Sequence, residues 1–256
     1  MNDIAHNLAQ VRDKISDAAA RCGRAPEEIT LLAVSKTKPA SAIEEAIAAG
    51  QVAFGENYVQ EGVEKIRYFQ EAGACSLQWH FIGPLQRNKV NLVLGRAALI
   101  HSVDRIELIE ALRARHGRSA GAPAQDVLIE VSLAGEEQKA GCAPSAVPQL
   151  LDAIAASGGS LRCRGLMCMP PLSEDPEASR PYFRKLRQLR IRAGSSRPGG
   201  RRAVARLAGT ARKAHSRGDQ RSFIKAFMRA VRISRRIPGP PGSERARQLQ
   251  HVFGHV

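Results

Sequence analysis

Lys36 is the residue whose chemistry stands out. In the stretch TLLAVSKTKPA, four apolar residues, Leu31 to Val34, run into Ser35 and then this lysine. Such a run predicts a buried strand, which delivers an amine at its carboxyl end. Burial at a strand rim disfavours the ammonium form and lowers the amine's pKa. A free amine attacks aldehydes and ketones. The competing reading is a solvated loop lysine like its neighbour Lys38, and position alone leaves both open. Other polar residues recur at the ends of apolar runs: Glu56 and Asn57, His80 with Gly83 and Pro84 after it, His101 and Ser102, and Ser132. They converge on one mouth if the strands form a barrel. Otherwise they are ordinary wet loop ends.

The elements that must position them alternate between two periods. Apolar runs at 31–34, 52–54, 79–82, 97–100, 127–131 and 161–167 predict six strands. Helical spacing lies between them: Ile43, Ala46 and Ile47; Val59, Val63 and Ile66; Ile106, Ile109 and Leu112; Val147, Leu150, Leu151 and Ile154; Phe183, Leu186 and Leu189. Residues 4–15 predict an extra helix before the first strand. Ser41 with Glu44, and Asp104 with Glu107, are spaced like capping boxes, and Gly50, Gly117 and Gly158 like stops. Six βα units, about one every 25 residues, argue for a parallel sheet under helices. The alternation does not separate a (β/α)8 barrel from a doubly wound sheet. The sequence has no G-x-G-x-x-G after the first strand and no G-x-x-x-x-G-K-[ST], which weakens the nucleotide-binding open sheets.

Composition excludes some classes. No apolar stretch reaches the roughly 18 residues of a membrane span, and MNDIAHNLAQVRDKI lacks a secretory pattern, so the expected location is cytoplasmic. The cysteines, Cys22, Cys75, Cys142, Cys163 and Cys168, are odd in number and widely spaced, which argues against a disulfide framework or closed zinc site. The net charge of +15 suggests a nucleic-acid partner, but its distribution does not support one for the whole chain. Residues 191–256 hold 16 Lys and Arg against Asp219 and Glu244, leaving the first 190 residues at +1.

With LLAVSKTKP, AFGENYVQE and WHFIGPLQRNK in hand, the chain closely resembles the pyridoxal phosphate homeostasis proteins, the YggS/PROSC family. HSVDR, VLIEVSLAGEEQKAGC and RCRGLMCMPP continue the resemblance in order, over about residues 2–190. The resemblance implies a (β/α)8 TIM-like barrel of the alanine racemase type, incomplete here, with about six βα units recognisable. It implies pyridoxal 5′-phosphate (PLP) as cofactor, held as a Schiff base on Lys36. Asn57 and His80 match motif positions near the cofactor; Ser102 and Met167 lie at later strand ends on the same side. It also implies a role in vitamin B6 homeostasis, with PLP-dependent apo-enzymes as candidate recipients, rather than catalysis. The alternative is a racemase-like amino-acid enzyme.

After Arg190 the resemblance stops. The family continues with a seventh strand leading into Ser-Met-Gly-Met-Ser and an eighth leading into Arg-Ile-Gly-Thr, which supply most of the phosphate cradle. Neither string occurs here. The expected organisation is a PLP-binding body over 1–190 and an Arg-rich tail over 191–256, with PLP binding weakened. A reading-frame change near residue 190 accounts for a tail rich in Arg, Gly, Pro, Ser and Ala. The rival account is a true basic extension, in which SFIKAFMRAVRISRRI forms a helix for an anionic surface or nucleic acid.

Overall fold

The computed structural model describes residues 4–117, 121–134 and 140–195. Most of the stretch assigned to the tail therefore lies outside the described residues. The strands are β1 (Ala33–Val34), β2 (Ala53–Glu56), β3 (Gln78–Phe81), β4 (Leu99–Val103), β5 (Gln125–Glu130) and β6 (Leu161–Met167). All pairs are parallel, and the spatial order is β1-β2-β3-β4-β5-β6. Each new strand joins on the same side of the last. A doubly wound sheet reverses direction at a switch point. One-way winding belongs to a barrel, and it resolves the choice that alternation alone left open: the described residues form six strands of an incomplete βα barrel.

The helices are α1 (Ile4–Arg21), α2 (Ala40–Ala48), α3 (Val59–Glu71), α4 (Val90–Val93), α5 (Ile106–His116), α6 (Val147–Ala155) and α7 (Arg180–Ser195). Apolar spacing explains which faces they bury: Val59, Gly62, Ile66 and Phe69 on α3, and Leu108, Ile109 and Leu112 on α5. The two capping boxes expected from spacing do not form. Pro39 precedes α2 as its N-cap and makes no side-chain bond, so Ser41 falls inside the helix. Arg105 is the N-cap of α5, and Asp104 pairs with it instead, Arg105 Nη1 donating to Asp104 Oδ1 at 2.6 Å. The last helix continues to Ser195, across the boundary expected at 190.

The sheet's helix-facing side is the core. Ile100, Val103, Val127 and Ile129 are 0 % exposed and pack with Leu108, Ile109, Leu112 and Val147. A second cluster under α1, α2 and α3 centres on Phe54, Phe69 and Trp79, with Trp79 5.5 Å from Phe54 and 5.9 Å from Phe69 between ring centroids. The opposite, concave face carries Leu32, Val34, His80, Ile82, Leu99, His101 and Leu128, all half-buried. Gly62 lets α3 sit tight on β2: a Cβ there would lie 3.2 Å from Cβ of Glu56. Among the described residues no helix is long and apolar enough to cross a membrane.

Candidate functional site

Strand register places the sequence-predicted residues in two levels. Val34 pairs with Gly55, Gly55 with His80, and His80 with Leu99. Lys36 and Asn57 each lie two residues beyond that level, toward the carboxyl ends. Ser35 N–H donates to Gly55 O at 3.0 Å, and Ile82 N–H to Glu56 O at 2.9 Å, so the ladder continues past β1 and β3. The structure thus brings Lys36 and Asn57 to adjacent strand ends, with His80 one layer deeper. Gly83 fixes the far side of Asn57. A Cβ on Gly83 would stand 2.3 Å from the Asn57 carbonyl oxygen and 2.7 Å from its Cα, so only glycine lets these two turns interlock. The amide Oδ1 of Asn57 is buried without a hydrogen-bond partner among the described residues.

Lys36 sits in a turn that the sequence did not disclose. Thr37, which follows it, has φ of 60°, the one non-glycine positive φ among the described residues. A β-branched residue in the left-handed region costs about 1–2 kcal/mol. Charged groups hold this turn from behind. The Thr37 N–H donates to Glu61 Oε1. Lys65 Nζ donates to Ser35 O at 2.6 Å, to Glu61 Oε1 at 2.7 Å and to Glu56 Oε1 at 2.8 Å. The Ser35 hydroxyl donates to the same Glu56 oxygen at 2.6 Å. Burial raises the Glu56 carboxyl above its ordinary range; hydrogen bonds from Lys65 and Ser35 work against that without reversing it.

The remaining candidates fall elsewhere. Ser102 is 2 % exposed, at the register shift between Ile100 and Val103, and its Oγ is buried without a partner among the described residues. Met167 ends β6, paired with Glu130 and at the opposite edge of the sheet from β1. Two further residues join the concave face: His101, expected only as a polar strand end, and Glu130, which sequence reasoning passed over. His101 lies 2.9 Å from His80 (Nε2 to Nδ1), one ring donating to the other according to tautomer. Burial, then the neighbouring His80, lowers His101 to about 4, and burial also lowers His80. The pair is therefore neutral at pH 7. Glu130 ends β5, and burial, then Asp104, raises its carboxyl to about 7. Their signals were a histidine and a glutamate at the ends of apolar runs, indistinguishable there from loop residues.

The chain matches the family described as alanine racemase, N-terminal domain, over residues 2–213. It is 59% identical over 175 residues to the pyridoxal phosphate homeostasis protein of Escherichia coli K12, covering 68% of this chain and 74% of that one. The homeostasis protein of Pseudomonas aeruginosa PAO1 is 43% identical over 189 residues, covering 74% and 80%. Among solved structures, PipY of Synechococcus elongatus with PLP bound superposes with a TM-score of 0.63 at 31% identity, covering 75% of this chain and 82% of PipY. Alanine racemase of Corynebacterium glutamicum shares the fold, with a TM-score of 0.50 at 17% identity over 76% of this chain and 51% of the racemase. With six parallel strands wound in one direction and Lys36 on the first, the chain belongs to the pyridoxal phosphate homeostasis proteins.

Proposed function

We propose that this chain binds pyridoxal 5′-phosphate, with Lys36 as its covalent anchor, and serves vitamin B6 homeostasis by holding the cofactor rather than turning over a substrate. The observation that carries the reading is the registered placement of Lys36 beside Asn57 at the mouth of β1 and β2, one level above His80. PLP offers an aldehyde, a phenolic oxygen, a ring nitrogen and a phosphate, and the residues here fit the first of these best. Lys36 would supply the amine for the aldehyde, their condensation releasing one water. Asn57 holds a buried, unpartnered amide oxygen beside it, the kind of polar atom that a bound ligand satisfies. His80 and His101, hydrogen-bonded to each other and both shifted toward the neutral form, would add no charge one level below Lys36 and Asn57. Ser102 and Met167 lie apart from this pair, on β4 and at the end of β6. PipY, a relative of similar fold, has PLP bound.

Phosphate anchoring is the weak part. The family strings that supply it are missing from the sequence, so affinity is expected to fall below that of relatives that carry them. Retention then rests on the bond to Lys36. The test is direct. The full-length protein is incubated with PLP, reduced with borohydride, digested and mapped. Stoichiometric label on Lys36, absent from Lys36→Ala, is the expected result; label spread over surface lysines, unchanged by Lys36→Ala, refutes the reading. Supplying amino acids and following proton exchange at Cα distinguishes a carrier from a racemase-like enzyme, and no exchange is expected.

A further inference from the structure

The turn that carries Lys36 is held at both of its flanking peptides. The peptide before Lys36 offers the Ser35 carbonyl, which accepts from Lys65 Nζ at 2.6 Å. The peptide after it offers the Thr37 N–H, which donates to Glu61. Glu61 and Lys65 also bind each other at 2.7 Å, one helical turn apart on α3, so the two anchors are one unit. Glu56, 2 % exposed, ties that unit to the end of β2. An unfavourable φ on a threonine persists where its surroundings over-determine it, and such residues gather at functional sites. The turn is also closed locally, Lys38 N–H donating to Ser35 O at 3.0 Å, which places the positive φ at its third residue, and the exposed Thr37 side chain leaves the anchoring to the flanking peptides.

We propose that Glu61 and Lys65, with Glu56 behind them, are positioning residues that hold the backbone on either side of Lys36 so that its amine meets the cofactor aldehyde. This rests on the PLP-binding reading above. The same arrangement gives selectivity between lysines. The three donors of the Lys65 ammonium meet three acceptors, Ser35 O, Glu56 Oε1 and Glu61 Oε1, at one buried end of the site. Its side chain is 11% exposed. Lys65 is thereby kept out of the condensation, while Lys36, in the turn whose Ser35 carbonyl Lys65 holds, is left for it.

The test compares wild type, Glu61→Ala and Glu61→Gln for the rate of borohydride-trapped PLP on each lysine, the melting midpoint, and hydrogen exchange of the Thr37 amide without cofactor. Glu61→Gln keeps an oxygen for the Thr37 N–H; Glu61→Ala keeps none. A charge-assisted hydrogen bond removed from the turn is expected to slow labelling of Lys36 about tenfold in Glu61→Ala, with part of the label moving to Lys65. Glu61→Gln is expected to stay within about threefold of wild type. Equal labelling of all three proteins, with only the melting midpoint lowered, assigns the cluster a purely structural role and overturns the proposal while leaving PLP binding intact. Wild type that takes no label on Lys36 overturns the binding reading itself. Glu61 is 27% exposed, so its loss leaves no sealed cavity. Should Glu61→Ala still fail to fold, the wild-type Thr37 amide decides: slow exchange supports the anchor, and exchange at the solvent rate removes it.

Discussion

Glu130 and His101 put opposite pH slopes on stability, and replacing either one exposes the other. Glu130 is 5 % exposed, and its carboxyl is pushed up from 4.5 to about 7 by burial and then by Asp104. Between those values the unfolded chain has lost its proton and the folded chain keeps it. The stability from this group is whole below 4.5 and lost as pH rises to about 7. His101 is lowered from 6.5 to about 4. There the unfolded chain takes the proton first, so its contribution is whole above 6.5 and lost as pH falls toward 4. Each gap corresponds to about 3 kcal/mol, trimmed to roughly 2 for half-buried His101 by solvent screening. In the shared window from 4.5 to 6.5, folding exchanges a proton on His101 for one on Glu130, and the net slope is small. His80 is displaced in the same sense as His101, and Glu56 in the same sense as Glu130. Urea denaturation across that window is therefore expected to give a nearly level stability for wild type. Glu130→Gln removes the falling contribution, and stability should climb by about 2 kcal/mol with rising pH. His101→Gln should fall by a similar amount. Three parallel curves would refute the reasoning, because they would mean that neither group carries its displaced proton affinity into the folding equilibrium.

Two further perturbations probe the turns around Lys36. Gly83→Ala puts a methyl 2.3 Å from a backbone oxygen, where no rotamer can relieve it; a loss of about 2–3 kcal/mol in urea is expected, and an unchanged midpoint would refute the interlock. Thr37→Gly removes a positive φ from a β-branched residue, and relief of about 1–2 kcal/mol is offset in part by unfolded-chain entropy. Stability should hold level or rise by about 1 kcal/mol by the same assay, whereas a fall of similar size would show that the turn is not strained.

The sequence disclosed some elements fully and others in part, for reasons visible in the structure. The run 161–167 matches β6 to the residue, since Leu161 and Cys163 alternate with exposed Arg162 and Arg164, pairing with β5 runs from Leu161 to Met167 around a register shift, and Pro170 and Pro171 follow. The run 31–34 shrinks to Ala33–Val34, because among the described residues β1 has a single neighbour and its first residues find no ladder. The run 52–54 shifts to end at Glu56, a carboxylate that no hydropathy reading would bury. It is buried because Lys65 and Ser35 reach it from other elements, a tertiary fact. Glu61 and Lys65 look like an ordinary surface pair at i and i+4, and only the fold reveals the third partner, the Ser35 carbonyl. His101 was legible as a strand-end polar residue but not as His80's partner, because the contact crosses strands on the concave face.

That division bears on what an incomplete barrel can still do. The half-buried concave face shows that the six described strands do not cover their own interior. A site assembled from all eight strands of a closed barrel would suffer from that in every part. Here Lys36, proposed as the condensing amine, the unpartnered amide and the two histidines all come from β1 to β4, which are consecutive and directly hydrogen-bonded neighbours, or from the turns that follow them. The restraint on Lys36 is more local still, drawn from residues 35 to 65. On the proposed reading, covalent capture of an aldehyde would depend on that neighbourhood, while affinity for the phosphate would depend on what the missing family segments supply. The two should separate: label on Lys36 should form and survive reduction even where equilibrium binding of unreduced cofactor is weak. Loss of both together would mean that barrel closure, not the clamped turn, is what presents the amine.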